Sequence, residues 1–126
     1  MGKTLDEIAV DLIAAGGVEY HSSTDGEGTR AFEFKASGGV HCECNDKPPS
    51  LHVILWRGAN VYGIVIKPGA EFRIAGQAGG KWLRAILYGG IPLDMAVAEL
   101  PKARSILANV WAAFCAASVS AEVGHG

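Results

Sequence analysis

AFEFKA at 31–36, VHCEC at 40–44, LHVILW at 51–56, VYGIVI at 61–66 and EFRIA at 71–75 are short apolar segments with turn residues between them. Most alternate apolar and polar side chains at period two, the spacing of a half-buried strand. Their succession predicts an antiparallel meander at the centre of the fold.

Registers follow from the loops. Ser37-Gly38-Gly39 suits a three-residue hairpin with a glycine bulge, which sets Phe34 opposite Cys42 and Phe32 opposite Cys44. Glu33, Lys35, His41 and Glu43 then lie on the other face. The segments at 51–56 and 61–66 are apolar on both faces and read as central strands. If Arg57-Gly58-Ala59-Asn60 is a four-residue loop, Leu55 pairs with Tyr62, and His52, Ile54 and Trp56 share a face with Val61 and Val65. Pro68-Gly69 turns the chain into the fifth strand, where loop parity leaves the face of Phe72 and Ile74 open.

Helices flank this sheet. Leu5, Ile8, Leu12 and Ala15 recur at helical spacing behind a Thr4–Glu7 capping box, and Gly16 and Gly17 end the run. An extended segment begins at Val18, and 22–29 is a polar loop. Glycine-rich 76–80 reads as a flexible connection, and 81–88 fits a sixth strand or a short helix. A short helix is expected over 93–100 and the longest over 102–119, with Pro101 acceptable in a first turn. Ile106, Leu107, Val110, Trp111 and Phe114 make its large apolar stripe. Its other side, with Asn109, Ala112 and Ala116, is small and weakly polar, so the helix is expected to be covered on two sides, either sandwiched within the fold or packed by this side against another copy of the chain. The expectation is one α+β domain over 1–126: a five- or six-stranded antiparallel meander, one N-terminal helix and two C-terminal helices.

Composition excludes several classes. The chain has 126 residues, 49% of them hydrophobic, enough for one core. A formal charge of −2 with interspersed signs gives no clustered cationic surface for nucleic acid. The charge-free run 105–121 is short for a membrane span and diluted by Ala, Ser and Asn, so no membrane is expected. Asp6 stands where a myristoylation site needs Ser or Thr, and acidic residues near the N-terminus do not fit a signal peptide. Three cysteines do not make a disulfide framework, which fits a cytoplasmic protein.

His41-Cys42-Glu43-Cys44 with His52 contains zinc-ligand types, but an extended strand spaces the two thiols nearly 7 Å apart at about 3.3 Å per residue and turns His41 away. No metal is expected. Glu43 and His52 offer an acid–base pair without an identifiable nucleophile or pocket. Cys115, mid-helix among Ala and Phe, reads as inert core. The run Gly76-Gln77-Ala78-Gly79-Gly80-Lys81 is one residue short of a phosphate loop, and Trp82 stands where the metal-binding hydroxyl belongs. No catalytic residue and no cofactor is assigned.

What remains is a sheet surface of His41, Glu43, His52, Trp56, Arg57 and Arg73, whose Trp and Arg suit a protein interface. The C-terminal helices are the competing cover for that face. The expected function is a small, soluble, non-enzymatic interaction module of accessory, inhibitor or immunity type, binding an unidentified partner protein and self-associating. The alternatives are a small-molecule-binding protein or modest hydrolase using the sheet histidines, and a subunit of a larger assembly such as a viral particle. A deep pocket at His52 and Trp56 would favour a small molecule; a flat patch, a protein.

Overall fold

The computed structural model describes residues 3–20, 29–35 and 45–124. In chain order they form α1 (Leu5–Ala14), β1 (Val18–Tyr20), β2 (Thr29–Lys35), β3 (Asn45–Trp56), β4 (Ala59–Val61), β5 (Ile64–Ile66), β6 (Gly69–Ala78), β7 (Lys81–Ile91), a 3-10 turn (Leu93–Met95) and α2 (Leu100–Gly124). The main sheet has five antiparallel strands in the order β1-β2-β3-β6-β7, and β4 pairs with β5 alone. The fold is therefore α+β, with one helix at each end of the chain.

Alternation along β6 sorts the faces: Ala70, Phe72, Ile74, Gly76 and Ala78 are buried, while the residues between them are half-exposed. Phe72 pairs with Val53 and Ile74 with Leu51, and these join Phe32, Phe34 and Leu55 under the helices. α1 contributes Leu5, Ile8 and Leu12, and α2 contributes Leu100, Ala103, Leu107, Trp111 and Cys115 at helical spacing. Each large side chain buried this way adds roughly 1.5–3 kcal/mol. Both halves of the expected Thr4–Glu7 capping box are present, with Glu7 N–H donating to Thr4 Oγ1 at 3.2 Å and Thr4 N–H to Glu7 Oε1 at 3.2 Å.

Proline explains the irregular start of β3. Pro48 and Pro49 have no N–H for a ladder, and the β3–β6 register slips between Asn45 and Lys47 and again between Lys47 and Ser50. Among the described residues β2 pairs with β3 from Ser50 onward.

Several expectations need correction. β2 pairs with 50–56, which puts Phe34 opposite Leu51 and Phe32 opposite Val53. The expected hairpin around Gly38, with His41, Cys42, Glu43 and Cys44, lies outside the described residues. The segment 61–66 is no sheet strand: Tyr62 and Gly63, at φ 51° and 81°, break it into the tip of the β4–β5 hairpin, and β6 takes the place beside β3. Leu55 accordingly pairs with Ala70, not Tyr62. Of 76–80, only Gly79-Gly80 is a turn; both have positive φ, the two-residue geometry favoured by the twist of a hairpin. The ambiguous 81–88 is strand β7. Instead of two C-terminal helices there is a 3-10 turn and then α2, with Pro101 in its first turn, where a missing N–H is harmless. The Asn109, Ala112 and Ala116 side of α2 is exposed.

Candidate functional site

With the helices on one face, the other face of the sheet is open among the described residues. Strand pairing lays Tyr20, Glu33, His52, Arg73 and Ile86 across it, because Glu33 pairs with His52, His52 with Arg73 and Arg73 with Ile86. His52 is the hub. Its Nδ1 lies 2.9 Å from the Tyr20 hydroxyl and its Nε2 lies 2.9 Å from Ser50 Oγ, while the Tyr20 ring meets the imidazole edge-on at 5.4 Å. Glu33 Oε2 stands 3.9 Å from the same Nε2. Burial holds the imidazole below its usual value of 6.5, with Glu33 opposing that shift and Arg73 adding to it.

Ser50 and His52 have the separation of a nucleophile and its base. Which ring nitrogen carries the proton decides whether Ser50 donates to Nε2 or accepts from it, and the same holds for Tyr20 at Nδ1. Burial favours the neutral imidazole within these contacts.

Beside it runs a groove of about 730 Å³ lined by Tyr20, His52, Arg73, Ala75, Arg84 and Ile86 among others. Arg73 is held by Glu71, its Nε and Nη2 each 2.6 Å from Oε2. Arg84 lies over the Trp82 ring at 4.7 Å, and Lys47 Nζ lies 4.9 Å from the same ring. Among the described residues Lys35, Lys47, Arg73 and Arg84 share this face with Glu33 and Glu71.

The second feature is the β4–β5 hairpin. Between Arg57 and Lys67 it carries no charge, and it exposes Val61, Tyr62, Ile64, Val65 and Ile66, with Ile64 at 67% and Val65 at 70%. Pairing of Val61 with Ile64 puts these two and Ile66 on one side, with Val65 on the other. At its base a groove of about 760 Å³ is lined by Trp56, Ile66, Pro68, Ala70, Pro92 and Leu93 among others.

Of the residues expected to bind a partner, His52 and Arg73 are cross-strand neighbours on the open face. Trp56 is half-buried at the end of the same strand, in the groove under the hairpin, and Arg57 is exposed beside it. His41 and Glu43 lie outside the described residues. Asn109, Ala112 and Ala116 are together on the solvent side of α2. Tyr20 and Glu33 were not anticipated as companions of His52, since the β1–β2–β3 register brings them there, and neither was Ser50, its neighbour two residues along β3. The hairpin did leave a signal, the Tyr62-Gly63 pair that splits VYGIVI. Cys115 is buried and burial pushes its thiol up, which suits core and not nucleophilic chemistry. Among the described residues no group of three or more His, Cys, Asp or Glu is placed to hold a metal ion, and no helix is long and apolar enough to cross a membrane. No family model, curated protein or solved structure matches this chain.

Proposed function

We propose that this chain is a non-enzymatic protein-interaction module and that its β4–β5 hairpin is an arm that engages a second copy of the chain. The observation that carries this reading is the uncharged arm with five large apolar side chains in water. A two-stranded hairpin is marginal alone, and exposed apolar surface of this kind marks contact sites. Each strand of the arm also leaves one backbone edge unpaired among the described residues, a template for further pairing.

A second copy is favoured because arm and apolar groove are contiguous. Ile66 ends the arm and lines the groove with Trp56, Pro68 and Leu93. In a two-fold arrangement each arm crosses into its partner's groove, and one surface supplies both halves of a closed contact. Sedimentation over a range of concentrations tests this. The wild type is expected to dimerise, Ile64→Asn to dissociate, and Ala112→Glu to remain dimeric. A monomer at high micromolar concentration overturns the reading. So does a dimer that Ala112→Glu or Ala116→Glu breaks and Ile64→Asn does not, which would place the contact on α2.

A further inference from the structure

We propose that the groove on the open face of the sheet binds a small organic carboxylate with a flat apolar body. The carboxylate sits on the guanidinium of Arg84, with the cationic Arg73 across the groove, and the body lies against Ala75 and Ile86 between β6 and β7.

Five observations converge on this chemistry. The groove volume, about 730 Å³, falls within the range of small-molecule sites, and its lining mixes apolar walls with a few polar groups. Arg84 has no carboxylate partner among the described residues, and its contact with Trp82 positions the planar guanidinium while its N–H edge stays available to a carboxylate. Arg73 already holds Glu71, so among the described lining residues Arg84 is the guanidinium left for a carboxylate. At the inner end, the Tyr20–His52–Ser50 hydrogen bonds fix a neutral imidazole as a rigid polar wall. Ile86, 60% exposed at a position facing this charged surface, gains cover when an apolar body is present.

The site shares no lining residue with the groove under the arm, so it stands or falls separately. The probes are benzoate and its uncharged analogue benzyl alcohol, titrated into the full chain and followed by backbone and methyl NMR shifts. Benzoate is expected to saturate with shifts centred on Ile86, Arg84 and His52, and to bind at least about tenfold more tightly than benzyl alcohol, the difference a charged hydrogen bond makes. Arg84→Gln, an exposed change that leaves the core alone, should remove that advantage, while Arg104→Gln on α2 should keep it. Equal binding of the two probes, shifts centred elsewhere, no saturation, or an unaltered benzoate affinity in Arg84→Gln each overturns the proposal.

Discussion

Gly76 of β6 lies directly beneath the indole of Trp111 in α2: a Cβ at Gly76 would come within 2.7 Å of Trp111 Cη2 and 2.8 Å of Cζ3. Because Trp111 is almost wholly buried between the helix and the sheet, neither side has room to give. The absence of a side chain at Gly76 is what lets the largest core residue seat over the strand.

Gly76→Ala is therefore expected to lower stability by about 1–3 kcal/mol, as overpacking of a close-packed core does. Urea unfolding of a double-mutant cycle with Trp111→Phe checks the cause. Phe lacks the outer ring atoms that meet the new Cβ, so Gly76→Ala should cost less in that background. Equal costs in both backgrounds would mean that the indole does not set the need for glycine.

The β-hairpin arm yields a prediction that separates its turn from its surface. Tyr62 has φ 51°, a left-handed conformation that a bulky residue adopts at a cost of roughly 1 kcal/mol and that Asn adopts more readily. Tyr62→Asn should slow hydrogen exchange of the arm amides while weakening the dimer, since the turn improves as the exposed ring is lost. If the arm loosens, the Tyr62 conformation is not the strained element of the turn.

Tyr88 ties the end of β7 to the start of α2 by donating its hydroxyl proton to Glu99 Oε2 at 3.0 Å. Burial, then the hydrogen bond to Glu99 and its charge, push the phenol up to about 12. Since the folded value exceeds the unfolded value of 10, the folded state keeps the proton that the unfolded state sheds, and this stability is lost as pH rises from about 10 through 12. Tyr88→Phe should flatten the alkaline limb of the stability curve, and phenolate absorbance should show a late-titrating tyrosine in the wild type only.

How far the sequence carried these features depended on whether each was local. The Thr4–Glu7 capping box is a three-residue relationship and formed as read. Period-two alternation located β2, the second half of β3 and β6. Pairing was a different matter, since the pairing of Phe32 and Phe34 with Val53 and Leu51 joins segments that period-two alternation does not match to one another. VYGIVI looked like a central strand because its composition is apolar, and composition does not distinguish a strand buried in a sheet from one in an exposed hairpin. His52 and Arg73 were legible as a surface pair; the Tyr20 and Ser50 bonds depend on strand register and side-chain direction, neither of which periodicity supplies.

The same hydrogen-bonded histidine sets the acid limb of stability. His52 is mostly buried, and burial holds its folded value below the unfolded 6.5. As pH falls below about 6.5 the unfolded chain binds a proton that the folded chain refuses, so stability is full above that value, declines as pH drops toward the folded value, and levels off beneath it. His52→Gln should remove this component of the acid slope. The neighbours set the direction of finer changes: Glu33→Gln takes away the carboxylate that favours the imidazolium and should lower the His52 value further, whereas Arg73→Gln takes away an opposing charge and should raise it. NMR titration of the imidazole in the three proteins reads all of this directly. A wild-type His52 that titrates at or above 6.5 would show that the charged form is accommodated, and the argument for a neutral hub would fail with it.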